Sequence, residues 1–209
     1  MINKEALDSL LSILEENKVR CGVGGSFLLQ MYELYDEPQD VDFWVYPDDL
    51  PIVRRIFCNY PQINEKLQLP EKYHYKICFE GIYVDFVACF IVKPNKNEFL
   101  YNIQPDSIEW VDLDSDRKIP CTSLEDWYIV YRLLNRKSKA DIIRTYLRSK
   151  NRIDSDTATK LSRALDNESN VLPKKIKEDI GELAWEEMQI TIADYDKTNV
   201  LKDDRIYAQ

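Results

Sequence analysis

The order of apolar and polar residues predicts a mixed first part of the chain and a helical second part. Four leucines recur at helical spacing within residues 4–18 and predict an amphipathic helix: Leu7, Leu10, Leu11 and Leu14. Short apolar runs typical of strands follow at residues 19–23, 41–46, 73–80, 82–90 and 108–113. The two runs on either side of Gly81 predict a β-hairpin.

The pattern changes to helical spacing after residue 119. Ser123 followed by Asp126 is a variant of the capping box and predicts a helical stretch running to about Arg148. Further helical patterns cover residues 156–166 and 174–188. We therefore expect an α+β fold in which helices pack on a mixed β-sheet. It comprises an α/β domain over residues 1–119 and a helical C-terminal region over residues 120–209.

The charge balance narrows the classes of partner. The 209 residues are 44% apolar and carry a formal net charge of -9. Such a balance argues against a generic nucleic-acid coat protein and against attraction to an anionic membrane. No apolar run approaches the roughly 20 residues of a membrane span, and the first residues do not resemble a signal peptide. We expect a cytoplasmic protein.

The cysteine and histidine content argues against a zinc site. The five cysteines form no Cys-x-x-Cys pair, and His74 is the one histidine. We interpret the cysteines as reduced, structural thiols. His74 lies between two tyrosines, and we interpret it as a strand residue rather than a catalytic base.

One segment reverses the acidic balance. Eight basic residues and one acid lie between Arg132 and Arg152, which gives this segment a charge of +7. Two interpretations stay open, a solvated helix face and a surface that binds phosphate groups.

Three acids stand out by their position. Asp40 and Asp42 flank Val41 at the start of a strand, and alternate strand residues share a face. Asp85 interrupts the apolar strand IYVDFVACF, where an unpaired charge is costly. Taken singly, the acid pair could be solvated and Asp85 could pair with an arginine. Together they predict a site for Mg²⁺ or Mn²⁺, which prefer carboxylate and phosphate oxygens.

Gly24, Gly25 and Ser26 form a candidate phosphate-binding turn between a predicted strand and a predicted helix. Paired glycines let the backbone approach a ligand closely, although most such pairs are structural turns. The order of this turn, the acid pair 13 residues later, and the isolated acid on a later strand is more specific than any one element.

These elements, CGVGGS, DVDFWV and YVDFVAC, resemble the signature of the DNA polymerase beta-like nucleotidyltransferase superfamily. The segment TSLEDWYIVYRLLNRKSKADII is similar to the helix after the sheet in its small members. The resemblance covers about residues 1–149. It implies the nucleotidyltransferase fold, followed here by a helical half.

The resemblance also implies roles for single residues. Asp40, Asp42 and Asp85 would be the metal-binding and catalytic carboxylates, with Asp85 on the acceptor side. The nucleotide-binding residues would be Gly24, Gly25, Ser26 and Lys139. A helical lysine expected near Tyr131 is missing, and Arg132 is its nearest substitute.

The implied reaction moves a nucleotidyl group from a nucleoside triphosphate such as ATP to a hydroxyl acceptor, with Mg²⁺ and release of pyrophosphate. The acidic composition favours a small-molecule acceptor, as in the aminoglycoside and lincosamide enzymes. Two alternatives stay open: a toxin- or antitoxin-type enzyme that modifies protein or RNA, and an inactive relative that binds a nucleotide or partner. A homodimer is left open as well.

Overall fold

The structure is a computed structural model that describes residues 2–63, 73–92, 99–104, 107–113, 117–149, 155–166 and 171–184. Its strands are β1 Cys21–Gly24, β2 Val41–Val45, β3 His74–Phe79, β4 Ile82–Val87, β5 Phe90–Val92, β6 Phe99–Tyr101, β7 Glu109–Asp112 and β8 Lys118–Cys121. Its helices are α1 Lys4–Glu16, α2 Gly25–Met31, α3 Leu50–Ile56, α4 Leu124–Leu133, α5 Lys137–Ser149 and α6 Ser155–Asp166. Residues 174–184 are also helical.

The first helix forms where the leucine spacing predicts it. The side chain of Asn3 caps α1 by accepting hydrogen bonds from the backbone N–H groups of Glu5 and Ala6. The leucine face of α1 is buried in the core. The amphipathic pattern therefore anchors the start of the chain against the sheet.

A six-stranded mixed sheet forms the centre of the molecule, with strand order β3-β4-β2-β1-β8-β7. Strand β1 pairs antiparallel with β2 and parallel with β8, and β2 pairs parallel with β4. Strands β5 and β6 form a separate antiparallel pair. The expected α+β class with a mixed sheet is confirmed.

One face of β2, β3 and β4 packs into an aromatic core. Phe43 on β2 and Phe86 on β4 are fully buried and stack with ring centroids 5.7 Å apart. Phe57, just after α3, stacks on Phe86 at 5.6 Å. Because side chains alternate along a strand, this packing turns Asp42 and Asp85 to the opposite face.

The predicted hairpin forms around a two-residue turn. Glu80 and Gly81 both have positive φ, 46° and 86°, as the tight turn between twisted strands requires. The second strand ends at Val87, short of the expected Phe90, which begins β5 in the other sheet. The hairpin is confirmed, and its second arm is shorter than expected.

The helical stretch expected from Ser123 to about Arg148 forms as two helices, α4 and α5. Asn135 lies between them with φ +56°, a conformation that asparagine tolerates better than most residues. The N–H of Arg136 donates to the carbonyl of Tyr131 and closes the end of α4. The N-cap half of the box forms, because Oγ of Ser123 accepts from the backbone N–H of Asp126; the same hydroxyl donates to Oδ2 of Asp126.

No disulfide bond joins the five cysteines, which all lie within the described residues, and three of them are buried: Cys21, Cys89 and Cys121. Within the described parts of the chain, no helix has the length and apolar character needed to cross a membrane. The expected boundary at residue 119 falls inside β8 and stays a prediction.

Candidate active site

A row of four residues crosses the sheet at the end of β1. Gly24 on β1 is paired with Asp42 on β2, and Asp42 is paired with Asp85 on β4. Asp85 is in turn paired with Lys76 on β3. Neighbouring strands are about 4.8 Å apart, so this cross-strand row brings the glycine turn and two of the acids together.

Asp40 completes a carboxylate triad with Asp42 and Asp85. Each of the three offers an oxygen, and these oxygens all lie within 4.8 Å of one another. A set of carboxylate oxygens at this separation matches the preference of Mg²⁺ and Mn²⁺ for hard oxygen ligands. The residues that the sequence singled out as metal ligands are therefore brought together, and their chemistry fits a divalent cation.

The surroundings of Asp42 favour the protonated form of its carboxyl. The pKa of Asp42 is raised to about 8, chiefly because its carboxyl is packed away from water, although the residue as a whole retains partial exposure. The charges of Asp40 and Asp85 raise that pKa further, while Arg136 and Lys76 partly offset them. A bound cation would relieve this repulsion and hold Asp42 in its ionised form.

The two glycines fit tightly between the acid pair and helix α4. Gly25 has φ +63°, and a Cβ added there would lie 1.6 Å from Oδ2 of Asp42. A Cβ on Gly24 would lie 2.2 Å from the ring of Trp127. Both positions exclude any side chain, so this turn passes against the triad because it is built of glycine.

Lys139 reaches the turn from α5. Its ammonium Nζ donates a hydrogen bond to Oγ of Ser26 at 2.6 Å. The same atom lies 4.5 Å from the ring centroid of Tyr35 and 5.5 Å from that of Tyr131. Burial, and next the charge of Arg136, lower the pKa of Lys139. A cation therefore lies beside Ser26.

Arg132, the expected substitute for the missing lysine near Tyr131, faces elsewhere. Its guanidinium donates to the carboxylate of Asp179 in the helical segment 174–184. Lys139 occupies the space beside Tyr131 instead, because the break at Asn135 starts a new helix there. The prediction that Arg132 takes the place of the helical lysine near Tyr131 is therefore wrong.

The basic segment is divided between two surroundings. Arg132 and Arg144 pair with Asp179 and Glu182 of the helical segment 174–184. Lys139 instead contacts Ser26. The segment is therefore neither a uniformly solvated face nor, over the described residues, one continuous cationic surface.

Two further residues of the site lie on β3, and the sequence did not predict their roles. His74 is buried and forms a hydrogen bond through Nε2 with Oδ1 of Asp85. Lys76 places Nζ 3.6 Å from Oδ2 of Asp40. The two-residue turn at Glu80 and Gly81 carries the missed signal, because it fixes the register that sets Lys76 opposite Asp85.

No family model matches the chain, and no curated protein matches it. Solved structures similar to it include a candidate nucleotidyltransferase from Thermotoga maritima, with 22% identity, TM-score 0.46, and coverage of 72% of this chain and 97% of that one. A lincomycin-bound lincosamide antibiotic adenylyltransferase has 14% identity and TM-score 0.48, over 68% of this chain and 96% of that one. The aminoglycoside-resistance protein ANT(2'')-Ia, in complex with adenylyl-2''-tobramycin, has 12% identity and TM-score 0.49, over 77% and 99%.

The features that carry the family resemblance in the sequence are all present in the structure. The Gly-Gly-Ser turn follows β1, the acid pair opens β2, and the third acid lies on β4. The mixed sheet thus brings the turn and the three acids to one place.

Proposed function

We propose that this protein is a Mg²⁺-dependent nucleotidyltransferase that transfers a nucleoside monophosphate from a nucleoside triphosphate to a hydroxyl group of a small molecule. We expect Mn²⁺ to support the same reaction in place of Mg²⁺. The observation that carries the proposal is the carboxylate triad, three oxygens within 4.8 Å of one another directly beside the glycine turn. A purely structural role does not account for three like charges placed together on one sheet face.

The triphosphate end of the donor is assigned to the turn and α5. Gly24 and Gly25 keep the backbone clear of side chains there, and Ser26 offers a hydroxyl. Lys139 lies in contact with that hydroxyl and supplies a positive charge for the phosphates that leave as pyrophosphate. The two ends of the site thus differ in charge, cationic beside Ser26 and anionic at the triad.

The acceptor end is assigned to Asp85. A bond forms between the acceptor oxygen and the α-phosphorus, and the bond from that phosphorus to the β-phosphate oxygen breaks. The electron pair of the broken bond leaves with pyrophosphate, and the hydroxyl proton passes to the carboxylate of Asp85. The triad would hold a divalent ion, which would neutralise charge on the triphosphate and lower the pKa of the attacking hydroxyl.

The charge distribution supports a small acceptor rather than an RNA. The chain carries a net charge of -9, and the described arginines of its basic segment are partly engaged by Asp179 and Glu182. Binding to a phosphate backbone draws on a continuous cationic surface, which these pairings interrupt. An acidic surface instead favours a neutral or cationic acceptor. Five cysteines that form no disulfide bond among the described residues support the expected cytoplasmic location.

Calorimetric titration tests the donor assignment. Each of the four ribonucleoside triphosphates is titrated with Mg²⁺ into the wild type and into the double variant Asp40→Asn/Asp42→Asn. We expect saturable binding of at least one nucleotide to the wild type, dependent on Mg²⁺ and lost in the variant. Asp112→Asn is a matched control, because this exposed acid on β7 lies outside the triad and pairs with Lys118.

A screen of hydroxyl-bearing small molecules for pyrophosphate release follows with the nucleotide that binds. Release that depends on both the acceptor and Asp85 supports the enzymatic function. Nucleotide binding without turnover of any acceptor would favour the inactive, nucleotide-binding alternative. Binding of no triphosphate, or equal binding by the double variant, would overturn the proposal.

A further inference from the structure

The third carboxylate of the triad has a buried partner. His74 is only 7% exposed and Asp85 8% exposed, and the ring Nε2 of His74 bonds to Oδ1 of Asp85. Most acids at this depth need a hydrogen-bond donor, because an ionised carboxylate loses several kcal/mol of hydration on burial. An ionised carboxylate can only accept, so Nε2 of His74 is the donor of this bond when Asp85 is ionised.

The backbone of His74 is fixed from two directions. Within the sheet it is paired with Val87 of β4, two positions beyond Asp85. From α3, the guanidinium of Arg54 donates to the carbonyl oxygen of His74 at 2.6 Å and lies 4.9 Å from the ring centroid of Tyr75. The ring is therefore presented to Asp85 by an ordered main chain rather than by a loop.

A bond to one oxygen of a carboxylate fixes the plane of the group and leaves its second oxygen for another partner. Donors of this kind, placed behind a metal-binding side chain, orient the ligand and adjust its basicity. Two residues along β3 from His74, Nζ of Lys76 lies 3.6 Å from Oδ2 of Asp40. Strand β3 thus contacts two members of the triad from the side away from β1.

We propose that His74 is a positioning residue that holds the Asp85 carboxylate in the orientation needed to bind the divalent ion and face the acceptor hydroxyl. The inference rests on the proposed function and adds a residue to its site. His74 itself touches neither substrate nor ion; it acts through Asp85.

The test uses Mn²⁺ as the probe and the full chain. Affinity for Mn²⁺ is measured by electron paramagnetic resonance of the free ion, in the wild type, His74→Gln, His74→Leu and Asp85→Asn. Glutamine offers an N–H at a reach close to that of Nε2, whereas leucine offers none. We expect His74→Leu to bind Mn²⁺ about tenfold to a hundredfold more weakly, and His74→Gln to recover most of the affinity.

Tyr101→Phe is the matched control. It also removes a buried hydrogen bond to a carboxylate, that of Asp126. Asp126 lies on α4, far from the triad in the sequence. We expect it to lower thermal stability without changing Mn²⁺ affinity. A thermal melt of every variant distinguishes unfolding from weaker Mn²⁺ binding. If His74→Leu does not fold, the Mn²⁺ affinity of His74→Gln tests the proposal.

The outcomes separate the two proposals. If the wild type binds no Mn²⁺, the proposed function fails and the role of His74 falls with it. If the wild type binds and Asp85→Asn does not, but His74→Leu binds as the wild type does, only the role of His74 is overturned. Equal loss in His74→Gln and His74→Leu would also overturn it, since a positioning role predicts rescue by the retained N–H.

Discussion

Gly25 determines how closely the backbone passes the acid pair. It combines a positive φ with a space that Oδ2 of Asp42 already fills, whereas Gly81 has a positive φ and no atom within 4 Å of an added Cβ. The two glycines therefore share the conformational demand but differ in steric demand. This difference makes them a pair for separating backbone strain from damage to the site.

We expect Gly25→Ala to weaken Mn²⁺ binding by more than tenfold, because the new methyl group must displace the Asp42 carboxylate. Gly81→Ala should leave Mn²⁺ affinity unchanged and cost only the roughly 1–2 kcal/mol of an alanine at positive φ. Metal titration and urea unfolding measure the two effects. Wild-type Mn²⁺ affinity in Gly25→Ala would show that Asp42 has room to move.

Lys139 and Arg132 lie on adjacent helices but have different expected effects on nucleotide affinity. Lys139→Met removes a charge beside Ser26, and a hydrogen bond to a charged group is worth about 1.5–3 kcal/mol. The dissociation constant of the triphosphate should therefore rise about tenfold to a hundredfold. Arg132→Met should lower stability by leaving Asp179 without its partner and should not change that constant. The reverse result would restore the sequence-based assignment to Arg132.

At the scale of elements, the N-terminus of α4 holds a buried acid. Asp126 accepts hydrogen bonds from the hydroxyls of Ser123 and Tyr101, yet burial dominates and raises its pKa to about 6. The folded state therefore binds the Asp126 proton more tightly than the unfolded chain, whose carboxyl has a pKa near 3.8. The stability from this proton is complete below about pH 4 and is lost as the pH rises through 6.

We expect the free energy of unfolding of the wild type to fall by up to about 3 kcal/mol between pH 4 and 7, relative to Asp126→Asn. The comparison removes the contribution of all other titrating groups, which the two proteins share. Urea unfolding at a series of pH values gives both curves. Parallel curves would mean that the hydrogen bonds at the cap offset burial and leave the pKa of Asp126 near its unfolded value of 3.8.

The elements that the sequence predicted correctly depend on local signals. The leucine spacing of α1, the turn at Gly81 and the cap at Ser123 each act within a few residues, and each forms as expected. The break at Asn135 was missed because asparagine is only a weak signal for a left-handed residue, and the apolar pattern continues across it. Helical periodicity alone does not show where one helix ends and the next begins.

The site was predicted only in part, because local patterns show where the acids lie but not which side chains meet across the strands. Its three acids were recognised by their order along the chain, and the structure brings them together. His74 was interpreted as a strand residue, which is correct, but its contact with Asp85 depends on how two strands are paired. The turn at Glu80 and Gly81 signals that pairing, but the apolar and polar pattern alone does not show which side chains it sets against each other.

At the scale of the whole molecule, both expected regions contribute residues to the site. Trp127 of α4 lies against Gly24 of β1, and Lys139 of α5 contacts Ser26. The division into residues 1–119 and 120–209 stays a prediction about the organisation of the chain. The donor site as proposed draws residues from both sides of that division.

The cross-strand row has a consequence for how such sites change during evolution. Its members are held opposite one another by main-chain pairing, so the 13 residues between Ser26 and Asp40 do not set the distance between the turn and the acids. Insertions and deletions in that connection can accumulate and alter which molecules reach the site while the carboxylates stay in place. Distant descendants of such a chain will be recognised more readily by which residues face each other across their strands than by the number of residues between motifs.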